Sequence, residues 1–351
     1  MEKIFFVLPN LNSGGAERVA VNYLRQLDPE KHIVTLAVFQ KSNDLLPLIP
    51  AYVQLINLQT ESTSRSFWPL LNLLWQIKPD VIFTTHSRVA TLLMLIRPFA
   101  PKFRHLARMQ STPSLEKKHA AYGWLKRKLY SFGYRSADIV IAQTEAMKHD
   151  GVEQFGLNPS RVKELSNPID TRFIDKSVDG MRSPFVGDKI FAVASGRLSF
   201  EKGFDVLISA LPSVLVEYPN FALYILGNDV GEKEKLKKLV NKLGLEDYVE
   251  FLGFQSNPYC YYAFCDLFIL SSRWEGFPNA LLENYYLNTP IVSTECVPIV
   301  KELVKDGVNG YVCNVEDKAC LSKKITECLN NIKRYQVKNR KYDGSMLEVL
   351  F

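Results

Sequence analysis

Short apolar runs alternate with amphipathic stretches along almost the whole chain. In the first half, runs that read as strands fall at Ile4–Leu8, Ile33–Phe39, Val53–Asn57, Val81–Thr84, His105–Ala107 and Asp138–Ala142. Between them, apolar positions spaced by three and four predict helices over Ala16–Leu27, Phe67–Ile77, Val89–Arg97 and Glu116–Phe132. A second series has strands at Ile190–Ala194, Phe221–Leu226, Val249–Leu252, Leu267–Leu270 and Ile291–Ser293. Its helices are expected at Asp205–Glu217, Glu232–Leu243, Asn279–Leu287 and Lys318–Asn330. Strands that alternate with helices build a parallel sheet covered on both faces. The expected fold class is therefore α/β, with two Rossmann-like doubly wound sheets.

Residues 156–188 break this rhythm with turn chemistry: Leu157-Asn-Pro, Ser166-Asn-Pro-Ile-Asp, Gly180, Ser183-Pro and Gly187-Asp. The domain junction is placed there, giving domains 1–170 and 171–343. Ligands of such sheets bind at the carboxyl ends of the strands. Two of them are expected to face each other across a cleft.

Composition adds several bounds. A chain of 351 residues, 47% apolar and 23% charged, can fill two ordinary cores. The opening Met1-Glu-Lys-Ile-Phe-Phe-Val-Leu-Pro is too short for a signal-peptide core, and no run is long enough to span a bilayer. Six cysteines, all after residue 259 and without a C-x-x-C pair, read as reduced buried thiols. The last eight residues, Gly344-Ser-Met-Leu-Glu-Val-Leu-Phe351, resemble a vector junction and protease recognition site, and are set aside.

Charge changes the picture more. The chain carries a formal +6, yet residues 102–135 alone hold nine Lys/Arg against one acid, Glu116. Lys117, Lys118, Lys126, Arg127 and Lys128 lie among Tyr122, Trp124, Tyr130, Phe132 and Tyr134. Leu125, Leu129 and Phe132 share helical spacing, so a helix with a buried apolar stripe is expected. Such a helix suits an anionic membrane surface. A solvated surface helix and a nucleic-acid contact are the alternatives. No nucleic-acid motif accompanies the charge, so no nucleic-acid partner is expected.

Three loops carry candidate chemistry. Asn10-Leu-Asn-Ser-Gly-Gly-Ala-Glu-Arg18 joins the first strand to the first helix. There Gly14 and Gly15 permit positive φ and close backbone approach, and the helix start favours an anion. After the strand Ile190–Ala194, Gly196-Arg197-Leu-Ser-Phe-Glu-Lys202 offers a guanidinium and an ammonium for a diphosphate. These cations would stabilise the charge that develops on a nucleoside-diphosphate leaving group. In Glu275-Gly-Phe-Pro-Asn-Ala-Leu-Leu-Glu283, Glu283 on a helix start suits a ribose diol and Glu275 suits sugar hydroxyls. Pro278 precedes that helix, and the N–H groups of Asn279 and Ala280 could meet a phosphate or the sugar.

These motifs, together with N-P-I-D, G-R-x-x-x-E-K-G and Phe251-Leu-Gly-Phe254, resemble the family 4 glycosyltransferases over residues 1–330. The resemblance implies the GT-B fold and a retaining, metal-independent nucleotide-sugar transferase. It implies an acceptor-side domain at 1–170 and a donor-binding domain at 171–343. Arg197 and Lys202 would grip the diphosphate, Glu275 the donor sugar and Glu283 the ribose. Gly14, Gly15, Gly196, Gly276, Phe277, Pro278, Asn279 and Ala280 would line the donor site, with Phe254 at the base. No cofactor or metal is implied, and no D-x-D motif occurs. UDP is the nucleotide that family frequency favours.

The chain departs from the family pattern at Arg108-Met-Gln-Ser-Thr112, where relatives often carry a histidine. Arg108 or Gln110 takes that place; His86, after the preceding strand, is either a contact to the acceptor or donor sugar or a satisfied structural histidine. A Gly-Pro that relatives often carry after the strand following the Glu275–Glu283 segment is also missing from Thr294-Glu-Cys-Val-Pro-Ile-Val300. The expected reaction moves a sugar to a hydroxyl of a lipid-linked glycan in cell-envelope polysaccharide synthesis. The protein would work in the cytoplasm, held peripherally on the inner leaflet by residues 102–135. A GT-B-fold epimerase and a non-catalytic nucleotide-sugar binding module are the competing readings.

Overall fold

The computed structural model describes residues 1–12, 14–40, 44–114 and 123–331. The chain divides into two compact units between Asp170 and Thr171. Residues 344–351, Glu116, Lys117, Lys118 and Tyr122 lie outside the described residues.

The first unit is built on a seven-stranded sheet in the order β3-β2-β1-β4-β5-β6-β7. Its strands are β1 (Glu2–Leu8), β2 (His32–Val38), β3 (Gln54–Asn57), β4 (Val81–Thr84), β5 (Arg104–Arg108), β6 (Ile139–Ala142) and β7 (Val162–Glu164). Every pairing between them is parallel. Ile4–Leu8 and Val81–Phe83 are almost wholly buried, as strands covered on both faces must be. The helices are α1 (Gly15–Gln26), α2 (Phe67–Ile77), α3 (Ser87–Ile96), α4 (Trp124–Arg135) and α5 (Glu145–Phe155).

The second unit has six parallel strands in the order β10-β9-β8-β11-β12-β13. They are β8 (Ile190–Ser195), β9 (Phe221–Leu226), β10 (Val249–Gly253), β11 (Leu267–Leu270), β12 (Ile291–Thr294) and β13 (Gly310–Cys313). Its helices are α6 (Thr171–Val178), α7 (Phe204–Glu217), α8 (Lys233–Leu243), α9 (Tyr259–Phe264), α10 (Asn279–Tyr286), α11 (Ile299–Leu303) and α12 (Lys318–Asn330). Leu207, Leu211 and Val214 of α7 and Leu321, Ile325 and Cys328 of α12 meet Leu223, Ile225, Leu267 and Ile269 in one core.

Both sheets reverse strand order once, between β1 and β4 and between β8 and β11. These reversals leave a crevice at the carboxyl ends of the two strands, where doubly wound sheets bind ligands.

The segment before the unit boundary is tied back to β5 and α1. Arg108 donates to Asn167 Oδ1 at 3.2 and 2.5 Å, Asn22 Nδ2 donates to the Pro168 carbonyl at 2.9 Å, and Arg25 pairs with Asp170 at 3.4 Å. Beyond it, α6 fastens to the second unit. Asn257 Nδ2 donates to the Ser177 carbonyl and the Tyr286 hydroxyl donates to Asp175. Residues 156–188 thus contain β7 and α6 rather than loop alone.

One expectation is reversed. Leu125, Leu129 and Phe132 do not form a buried stripe: they are 66%, 42% and 43% exposed. The helix instead buries Tyr130, Ser131, Gly133 and Tyr134. The reason is Gly133, which seats α4 on α3 so closely that a β-carbon there would stand 2.8 Å from the Thr91 backbone nitrogen. A helix docked through its small residue turns its leucines outward.

Candidate active site

In the second unit, β8 ends at Ser195 and β11 at Leu270, side by side at the reversal. The chain leaving β8 turns through Gly196 into a single 3-10 turn, Phe200–Lys202, and then into α7. Gly203 makes that connection possible: its φ is +62°, and a β-carbon there would lie 2.1 Å from the Ser271 carbonyl oxygen. Gly227 clears the other side, where a β-carbon would meet the Gly196 carbonyl oxygen at 1.9 Å.

This close packing brings Lys202 and Glu275 together. The Lys202 ammonium donates to Glu275 Oε1 at 2.6 Å, and the side chains are 18% and 11% exposed. The Ser272 hydroxyl donates to the same oxygen at 2.7 Å, and the Ser271 hydroxyl donates to the Lys202 carbonyl at 2.9 Å. Cys296 is buried beside them. Burial first, and then the Glu275 charge, push its thiol pKa up.

Arg197 is 55% exposed and its guanidinium donates to Glu201 Oε1 at 3.0 Å. Glu283 is buried on α10, with the Tyr259 hydroxyl donating to it at 3.3 Å. Phe277 and Pro278 are buried, while Gly276, Asn279 and Ala280 are half-buried. The Asn279 N–H donates to the Phe277 carbonyl at 3.0 Å, and Asn284 Nδ2 holds the Ala280 carbonyl at 2.8 Å. Phe254 is half-buried just past β10. Direct bonds therefore join Lys202, Glu275, Ser271 and Ser272, whereas Arg197 and Glu283 turn to other partners.

The reversal of the first sheet carries its own polar pair. Glu17 of α1 accepts from His86 Nε2 at 3.0 Å, with both side chains about one-tenth exposed. His86 Nδ1 lies 2.9 Å from the Thr85 hydroxyl. A carboxylate at Nε2 requires a proton there, so a neutral ring accepts from Thr85 at Nδ1. Gly14 and Gly15 do not use positive φ: Gly14 has φ −74° as the residue before α1, and Gly15 is helical. The lack of a β-carbon matters instead, because one at Gly14 would stand 2.1 Å from Glu17 Oε2.

Arg108 is buried at the end of β5, and burial lowers its pKa to about 10 against the opposing pull of Tyr23, Tyr134 and Glu17. Its bonds to Asn167 make it a brace for the N-P-I-D segment. Gln110 is half-buried, and its carbonyl accepts from Gln143 Nε2 at 3.4 Å. Sequence reasoning passed over Glu17, Ser272 and Tyr259. The signal for Glu17 was its place in G-G-A-E-R, and for Ser272 its place at a strand's carboxyl end. Tyr259 left no local signal, because α9 brings it to Glu283 through tertiary packing.

The crystal structure of Anabaena HepE in complex with UDP and glucose superposes with a TM-score of 0.79, at 22% identity, over 95% of this chain and 92% of that one. The fold is GT-B. The model "Glycosyltransferase Family 4" matches residues 13–173, and "Glycosyl transferases group 1" matches residues 179–343. The chain belongs to the family 4 glycosyltransferases.

Two relatives show its range. An N-acetylgalactosamine-N,N'-diacetylbacillosaminyl-diphospho-undecaprenol 4-alpha-N-acetylgalactosaminyltransferase of Campylobacter jejuni is 28% identical over 97% of this chain and 94% of its own length. An uncharacterized glycosyltransferase of Methanocaldococcus jannaschii is 29% identical over 76% of this chain and 68% of its own length.

Proposed function

We propose that this glycosyltransferase moves a hexosyl or N-acetylhexosaminyl group from a UDP-sugar to a hydroxyl of a lipid-linked glycan, with retention of configuration. The observation that carries the donor half is the Lys202–Glu275 pair at the strand-order reversal of the second sheet. An ammonium has three donors and a carboxylate four acceptor sites, so each keeps capacity for a ligand while bonded to the other. In this reading Lys202 and Arg197 neutralise the departing diphosphate and Glu275 orients hydroxyls of the transferred sugar. Glu283, buried beside Tyr259, takes the ribose. Two protein cations supply the charge stabilisation that a bridging metal gives elsewhere, so the reaction is proposed to run without one.

The acceptor half is supported by the Campylobacter jejuni relative, whose name specifies a diphospho-undecaprenol acceptor. A lipid-held acceptor calls for an enzyme at the membrane surface. No helix among the described residues is long and apolar enough to cross a membrane. Helix α4 offers another route: Trp124, Leu125, Leu129 and Phe132 are exposed on the same helix as exposed Lys126 and Lys128. Apolar side chains with cations on one short helix suit the headgroup boundary of an anionic leaflet. The protein is thereby proposed to sit peripherally on the cytoplasmic face of the inner membrane.

The test has two arms. A thermal-shift panel of UDP-, GDP-, ADP- and CMP-sugars identifies the donor, because a ligand of the native state raises the melting temperature. The selected donor is then incubated in chelator with undecaprenyl-diphosphate-linked glycans in vesicles, and the product is analysed for anomeric configuration. Transfer with retention is expected. Epimerised nucleotide sugar formed without acceptor, or no turnover until a divalent metal is added, would contradict the reading.

A further inference from the structure

The loop that carries Glu275 holds another cation, Arg273, which belongs to none of the motifs. Its side chain is only 8% exposed. Nη1 and Nη2 donate to the two Asp205 oxygens at 2.8 Å each. Nη1 also donates to the Phe200 carbonyl at 2.6 Å. Nε and Nη2 donate to the two carboxylate oxygens of Glu316. These contacts engage all five N–H donors that a guanidinium possesses. Burial opposes the charge, but the bonds to Asp205 and Glu316 more than offset it and raise the pKa.

Arg273 has no donor left for a substrate, yet it grips the turn that presents Lys202. Its guanidinium lies over the Phe200 ring, 3.9 Å from the centroid. Its backbone N–H donates to the Glu201 carbonyl at 2.7 Å. Two residues before it, the Ser271 hydroxyl donates to the Lys202 carbonyl at 2.9 Å. Every residue of the 3-10 turn Phe200–Lys202 is therefore bonded to the loop following β11. Asp205 anchors the arrangement to the first turn of α7, and Glu316 anchors it to the approach to α12. Glu316 adopts φ +63°, a conformation that a residue with a β-carbon rarely takes unless its surroundings hold it.

We propose that Arg273 is a positioning residue for sugar transfer: it zips the Lys202 turn to the Glu275 loop and so sets where the ammonium meets the leaving diphosphate. The proposal rests on the donor reading above. It places in one buried guanidinium the rigidity that electrostatic stabilisation of a leaving group requires.

The test is a double-mutant cycle. UDP and uridine affinities are measured for the full chain and for Arg273→Ala, Lys202→Ala and the double variant, with melting temperatures alongside. Arg273→Ala is expected to weaken UDP binding by about tenfold or more, the scale of a displaced charge-assisted hydrogen bond, while uridine binding stays unchanged. In the Lys202→Ala background the same substitution should change UDP affinity little, since its effect runs through Lys202. Equal losses in both backgrounds, or parallel losses of UDP and uridine, would overturn the proposal as mere loss of structure. Should Arg273→Ala fail to fold, Asp205→Asn keeps the shape and weakens the grip; it is expected to show the same UDP-specific, Lys202-dependent loss. Unaltered UDP affinity in Lys202→Ala would instead refute the donor reading itself.

Discussion

Lys202 and Glu275 meet at 2.6 Å where a diphosphate and a sugar are proposed to lie. Removing one partner of a sheltered pair exposes the other to an uncompensated environment. Glu275→Gln leaves Lys202 free for phosphate but removes the acceptor for sugar hydroxyls. We expect UDP to bind at least as tightly, with turnover down by about two orders of magnitude or more, the scale of losing a preorganised polar contact. Calorimetry with UDP beside initial rates with the full donor would check it; equal losses in both would contradict it. Gly203 makes a purely structural prediction. Alanine there would need a positive φ and would collide with the Ser271 carbonyl, so Gly203→Ala should cost more than about 1 kcal/mol in urea unfolding.

His105 offers a pH prediction. It is buried on β5, and burial, aided by Arg97 and opposed by Asp138, lowers its pKa to about 3. In the unfolded chain it titrates at about 6.5. The unfolded state therefore binds the extra proton first as pH falls, and its contribution to stability is lost progressively from about pH 6.5 towards 3. Thr84 Oγ1 lies 3.0 Å from its Nε2, so His105→Gln can keep a hydrogen bond while removing the titration. The variant should show a flatter loss of stability over that window in denaturation series at fixed pH. An unchanged slope would rule out the assignment.

Among the described elements, α4 departs from the buried apolar stripe that its spacing predicts. Its apolar side chains point outward because Gly133 and the tyrosines are the face that packs. Reversing Lys126 and Lys128 to Glu, with Leu125 and Leu129 to Ser, should remove binding to anionic vesicles. Each cation near such a surface contributes about 1 kcal/mol. Flotation with anionic and zwitterionic vesicles would read the loss. Activity on a soluble acceptor fragment should survive, because all four side chains are exposed and none is a candidate site residue; retained flotation would count against the surface.

Across the whole molecule, two sheets of the same winding each carry a charged or hydrogen-bonded pair at the strand-order reversal: Glu17–His86 in one and Lys202–Glu275 in the other. The donor candidates Arg197, Lys202, Glu275 and Glu283 all belong to the Thr171–Asp343 unit. If the two units melt as separable transitions, UDP should raise the one belonging to that unit and leave the other in place. Calorimetric scans with and without UDP would show it, and a shift confined to the first unit would argue against the donor assignment.

How much of this was readable beforehand differs from element to element. Val81–Phe83 and Leu267–Leu270 are uninterrupted apolar runs, and the strands Val81–Thr84 and Leu267–Leu270 coincide with the pattern. Helix Glu145–Phe155 was missed because only Met147, Gly151 and Phe155 are buried, too sparse a stripe to stand out in the sequence. The half-buried edge strand Gly310–Cys313 and the five-residue helix Ile299–Leu303 were missed for a related reason: short elements carry too few positions to show a period.

The sequence by itself determined the α/β alternation, the loops that would carry chemistry and the residue types in them, since these depend on local spacing and side-chain character. Only the tertiary structure decided that Lys202 reaches Glu275, that Tyr259 bonds to Glu283 and that Arg273 spends every guanidinium donor on Asp205, Glu316 and the Phe200 carbonyl. It also decided which face of α4 is left outside. The physical reason is that burial and hydrogen-bond partners are set by residues distant in the chain, and periodicity records that a face is apolar without recording what it faces.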